Sequence, residues 1–137
     1  MGRILAIDYG QKRVGIAVTD ILQIASNGLT TVPVAQIFDF LNQYFAKEPV
    51  ETVIVGLPKQ MNYEPSASMR FITPFVNRFK KLYPDMPLVM VDERFTSVLA
   101  HQAMLDGGLK KKERQNKALV DQISATILLQ SYMESRR

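Results

Sequence analysis

Two apolar runs, residues 3–8 and 13–19, are rich in Ile, Val and Leu and flank a short polar turn containing Gly10, the pattern of a β-hairpin. A third strand is expected at 28–33. From Val34 the period lengthens: Val34, Ile37, Phe38, Leu41 and Phe45 recur at helical spacing and close at Glu48-Pro49, which predicts an amphipathic helix. Residues 52–57 form a continuous apolar run bounded by Pro58, suited to a strand buried on both faces. A polar loop, KQMNYEPS, follows. Ser66 then stands before a helix with Met69, Ile72, Phe75, Val76 and Phe79 on one face, which Pro74 either bends or begins. Residues 88–91 read as another buried strand ending in Asp92-Glu93. A helix from Thr96 to Leu105 is stopped by Gly107-Gly108, and a last one starts near Lys117, its apolar face carrying Leu119, Val120, Ile123, Ile127 and Leu128.

The order is three strands, helix, strand, helix, strand, helix, helix. A hairpin-linked opening followed by alternating helices and strands predicts an α/β fold, a mixed sheet with helices on both faces. With no repeat, linker or low-complexity tract, residues 1–137 read as one domain.

Composition narrows the chemistry. A 47% hydrophobic fraction with 22% charged residues is that of a globular chain with its own core. The absence of cysteine excludes thiolate zinc sites, thiol nucleophiles and disulfide frameworks, and fits a reducing compartment. The amino-terminal apolar run is too short for a signal-peptide core, and no segment approaches the ~20 apolar residues that span a bilayer, so a cytoplasmic protein without a membrane partner is expected. The formal net charge is +4, and it is concentrated in residues 110–117, KKKERQNK, with five basic residues and one acid. Such a run is either a solvated loop or a contact for a polyanion, since Lys and Arg bind phosphate by displacing counterions.

The acids carry the sharper signal. In open sheets of this kind, ligand sites form at strand ends and adjacent loops. Asp8 closes the first strand, Asp92-Glu93 closes the last, and Asp121 lies one turn inside the final helix near its apolar stripe. Each has an ordinary structural reading: a turn cap for Asp8, a surface ion pair for Glu93, a favourable helix-dipole position for Asp121. Their joint placement points to one cluster. Successive strand residues face opposite ways, so one of Asp92 and Glu93 faces that cluster, and Glu93 is the choice.

Four motifs occur in register across the chain: D-x-G-x-x-R-x-G (Asp8, Gly10, Arg13, Gly15), V-G-L-P (Val55 to Pro58), D-E-R-x-T (Asp92 to Thr96) and D-x-x-x-A-x-x-L-L (Asp121, Ala125, Leu128, Leu129). In this order they resemble the YqgF family, also called RuvX, over nearly the whole chain. Ser97 and Ser124 stand where many members have Thr and Ala, and KQMNYEPS lacks the expected Asn/Asp-Gly turn.

The resemblance implies a ribonuclease H-like fold similar to the RuvC Holliday-junction resolvases. That fold is a mixed five-stranded sheet, three antiparallel strands and then parallel strands. It further implies a nuclease of ribosome biogenesis that trims the 5′ end of the precursor of 16S ribosomal RNA, with Asp8, Glu93 and Asp121 as catalytic metal ligands for two Mg²⁺ or Mn²⁺ ions. Lys12, Arg13, Arg94, Lys110, Lys111, Lys112, Arg114 and Lys117 are the candidates for phosphate contact. Arg13 and Arg94 could instead neutralise the acids through salt bridges.

His101, the one histidine of the chain, is not needed as a general base. Tyr9 either stacks on a base, packs in the core or supports the turn, and Phe71, Phe75 and Phe79 read as core. Other classes stay open. One is a junction-cleaving DNA endonuclease, which cuts two strands symmetrically and generally needs a homodimer; the sequence is compatible with a monomer or a homodimer. Another is a non-catalytic nucleic-acid binder in transcription or ribosome maturation. A third is an ATPase or sugar kinase holding phosphate on D-x-G, for which the chain lacks a second domain and a second D-x-G.

Overall fold

The structure, a computed structural model, describes residues 2–10, 12–57, 69–92 and 117–135. The opening hairpin pairs β1 (Arg3–Tyr9) antiparallel with β2 (Arg13–Thr19), and β2 pairs antiparallel with β3 (Ser26–Pro33). A 3-10 turn over Val34–Gln36 leads into α1 (Ile37–Lys47). β4 (Val50–Leu57) then adds to the other side of β1 in parallel, and β5 (Leu88–Asp92) adds parallel to β4 after α2 (Met69–Leu82). The sheet order is β3-β2-β1-β4-β5, and the described chain closes with α3 (Lys117–Ser135). This is the expected mixed five-stranded sheet. The expected helix over 96–105, His101 and the KQMNYEPS loop lie outside the described residues.

Alternation along the strands sorts the core into two layers. Leu5, Ile7, Val14, Ile16, Val18, Val53 and Val55 point to one face, where Ile37 and Leu41 of α1 and Ile72, Phe75, Val76 and Phe79 of α2 cover them. Ile4, Ala6, Ala17 and Ile54 point to the other, under Ala125, Leu128, Leu129 and Met133 of α3. Helices therefore cover both faces. Pro74 lies inside α2 rather than at its start. It is exposed, so the amide it cannot donate is missing from the solvent side of the helix.

The seam of α3 corrects the sequence reading. Ile123 and Ile127 are half-buried, while Ser124, Ala125, Leu128, Leu129 and Met133 are buried. Ser124 and Ala125 are small because α3 comes very close to β2 and β3 there, while Leu128, Leu129 and Met133 fill the rest of the seam. A Cβ added at Gly28 would sit 3.3 Å from Thr126 Oγ1, and at Gly15 the space is smaller still. A bulky Ile at that contact would hold the helix off the sheet.

Candidate active site

Asp8 shares the parity of Ile4 and Ala6, so β1 carries it on the face covered by α3, at the end of the strand. Its antiparallel partner in β2 is Gly15. The missing side chain of Gly15 is where α3 touches down: a Cβ built there would lie 2.1 Å from the Asp121 carbonyl oxygen and 3.1 Å from Asp121 Cβ. Directly opposed residues of an antiparallel pair have Cβ positions ~4.5–5.5 Å apart. Asp8 and Asp121, 113 positions apart in sequence, are thus neighbours on one side of one sheet end.

The turn between β1 and β2 frames them. The Gly10 amide donates to the Arg13 carbonyl at 2.9 Å, and a Cβ on Gly10 would stand 2.6 Å from that same oxygen, so close approach requires glycine here. The turn returns Arg13 to the sheet, where its Nε donates to Asp121 Oδ2 at 2.9 Å. Of the two readings left open for Arg13, the structure adopts the ion pair with the acid. The pair is about a third exposed on the Arg side and a quarter on the Asp side, so water and salt screen part of its attraction. Lys12 is exposed, and its carbonyl accepts the Val34 amide at 3.0 Å.

Tyr9, next along β1, turns to the opposite face and stacks on Phe75 with ring centroids 4.6 Å apart. Burial raises its phenol pKa above the ordinary value.

Among the remaining expected site residues, Lys117 opens α3. Glu93, Arg94, Lys110, Lys111, Lys112 and Arg114 lie outside the described residues. Among the described residues, no three His, Cys, Asp or Glu side chains form a metal-binding group. The structure thus sets the chain positions of two of the three proposed acids, Asp8 and Asp121, beside one another at one sheet end. Sequence reasoning missed how Gly15 makes that contact possible; the signal was its place in D-x-G-x-x-R-x-G, seven residues after Asp8.

This geometry can be set beside that of other proteins. The family model described as "RuvX: Holliday junction resolvase" matches residues 2–135. The chain belongs to the RuvX family. A relative from Phocaeicola vulgatus is 70% identical over 137 residues, covering all of this chain and 99% of its own. One from Porphyromonas gingivalis is 53% identical over 135 residues, 98% of each. Both are provisionally named pre-16S rRNA nuclease.

Among solved structures, T. thermophilus RuvC in complex with a Holliday junction superposes with a TM-score of 0.55 at 17% identity, covering 99% of this chain and 96% of that one. The fowlpox virus resolvase, also bound to junction DNA, gives 0.56 at 16% identity, with 98% of both chains covered. At these identities the two share the fold, which is ribonuclease H-like. As a RuvX protein the chain is a nuclease, a hydrolase of phosphodiester bonds acting on nucleic acid. Among the described residues, no helix is long and apolar enough to cross a membrane.

Proposed function

We propose that this RuvX protein trims the 5′ end of precursor 16S ribosomal RNA, with Asp8, Glu93 and Asp121 holding two Mg²⁺ or Mn²⁺ ions at the scissile phosphodiester. The observation that carries the reading is the meeting of Asp8 and Asp121 across Gly15. The names of the relatives support the RNA substrate. Glu93 is taken over Asp92 as the third acid from its place in the family motif D-E-R-x-T.

The donor set fits the ions: hard carboxylate oxygens, with no Cys anywhere in the chain, are what hard divalent cations prefer. Arg13 holds Asp121 by Oδ2, and a carboxylate has a second oxygen to offer. When bound, such ions lower the pKa of the attacking water and stabilise the leaving 3′ oxygen. The chain's own contribution is rigidity. Asp8 is fixed on a strand paired on both sides, and Asp121 is held by the contact of its backbone with β2 and by Arg13. Lys12, Arg94, Lys110, Lys111, Lys112, Arg114 and Lys117 neutralise substrate phosphates, and Arg13 orients Asp121.

The test is cleavage of precursor 16S RNA compared with a four-way DNA junction, with Mg²⁺ or Mn²⁺. Wild type should shorten the RNA at its 5′ end. Asp8→Asn should fold normally and cleave nothing. An equally active Asp8→Asn variant would remove the metal-site reading, and cleavage confined to the junction would transfer the substrate assignment to branched DNA, which the family description and the junction-bound neighbours favour.

A further inference from the structure

On the face of the sheet away from α3, the end of β1 borders a cleft of about 290 Å³ lined by Tyr9, Val34, Phe38, Pro74, Phe75 and Arg78, among others. Its aromatic wall is ordered: Tyr9 stacks on Phe75, and Phe38 tilts against Phe75 at 5.3 Å between centroids. Arg78 is exposed and lies 4.8 Å over the Phe38 ring, which puts one cation at the rim of an otherwise apolar cleft.

Three properties define the occupant. The volume is just below the ~300–1,000 Å³ of sites that take drug-sized ligands, so the cleft suits one small planar group. Aromatic walls with a guanidinium alongside match a base and its phosphate, because every base offers a π-face and Arg offers both charge and a plane to stack on. The cleft lies at the same end of the sheet as the acids, on the other face: Tyr9 is peptide-bonded to Asp8, and Val34 in its wall donates to the carbonyl of Lys12 in the turn that carries Arg13.

We propose that this cleft receives an unpaired nucleobase of the substrate strand a few nucleotides from the scissile phosphate, with Arg78 on an adjoining phosphate. This rests on the nuclease reading above and deepens it, since it requires a single-stranded, splayed nucleotide near the cut. A fully paired duplex offers no base for the cleft.

The experiment uses the full chain in an Asp8→Asn background, so that bound strands stay intact, and a single-stranded oligoribonucleotide carrying 2-aminopurine at successive positions. Fluorescence should be quenched at one position. Tyr9→Leu and Phe38→Leu, which keep apolar volume and remove a ring, should abolish that quenching and weaken single-strand binding about 10-fold. Arg78→Gln, at an exposed position, should weaken it while leaving the fold untouched. Binding of a blunt duplex of the same sequence should not change in any of the three.

Quenching at no position, no binding of the strand, or equal losses on strand and duplex would overturn the proposal. Wild-type cleavage of the same strand with Mg²⁺ is read in parallel. Cleavage without quenching removes the cleft alone, and quenching without cleavage removes the nuclease reading.

Discussion

The position that most tightly constrains the site carries no functional group. Gly15 lets the backbone of α3 rest on β2 beside Asp8, and even a methyl group there would overlap the Asp121 carbonyl. Neither partner can yield cheaply, because one is a paired strand and the other a helix. Gly15→Ala should therefore cost about 1–3 kcal/mol, as overpacking does. It should also lower metal-dependent cleavage more than a stability loss of that size explains, because Asp121 moves with the helix. Urea unfolding measured beside cleavage of the folded fraction checks both parts. The Arg13–Asp121 pair was invisible in the sequence beyond a general option for salt bridging, since 108 residues separate its members. Of the readings open for Tyr9, the structure adopts packing against the core, where it stacks on Phe75.

At the scale of elements, apolar periodicity located the strands and helices that the structure describes; it faltered on the rotation of α3 and on the burial of β5, an edge strand in which Met90 is exposed and Leu88, Val89 and Val91 are half-buried. Hydrophobicity gives weight to Ile123 and Ile127, but closeness of approach decides the seam, and closeness favours Ala125 and Ser124. Leu128 is fully buried and Ile127 half-buried. Leu128→Ala should cost about 2–5 kcal/mol, and Ile127→Ala clearly less; reversal of that order in thermal or urea unfolding would refute the assigned rotation.

The β2–β3 turn makes a separate prediction about pH. The Asp20 carboxylate accepts the amides of Ala25 at 3.0 Å and Ile24 at 2.7 Å, and the Ala25 bond foremost holds its pKa below the ordinary carboxylate value. A depressed folded-state pKa adds stability that is present above the unfolded value, about 3.9, and disappears as pH falls through the folded one. Hydrogen exchange at Ile24 and Ala25 should accelerate relative to the core as pH drops below about 4, and Asp20→Asn should remove that pH dependence.

For the whole molecule, the resemblance carried by four motifs fixed the fold, because motifs spread over the whole chain constrain its topology as well as its chemistry. The proposed site reads in the sequence as a set of acids at element ends; how near Asp8 and Asp121 come does not, because it depends on how the sheet closes against α3. If Asp8 and Asp121 hold divalent ions, native protein binds Mg²⁺ and unfolded chain does not. Added Mg²⁺ should then raise the melting temperature with its concentration, in proportion to RT ln(1 + [Mg²⁺]/Kd). Calorimetry of wild type and Asp8→Asn checks this: the rise should be absent in the variant, and an equal rise in both would place the ions elsewhere.

The central sheet also works as a bulkhead. On one side lie large side chains such as Phe75, Phe79 and Leu41; on the other, around the acids, the packing uses Ala6, Ala17, Ala125 and two glycines. Large side chains can trade volume with their neighbours, whereas a contact of backbone on backbone has no slack to trade. Substitutions inside the α1/α2 layer should thus shift heat tolerance well before they disturb the spacing of the two carboxylates. A designer wishing to relocate Asp121 would have to rebuild the strand beneath it, not the helix that bears it.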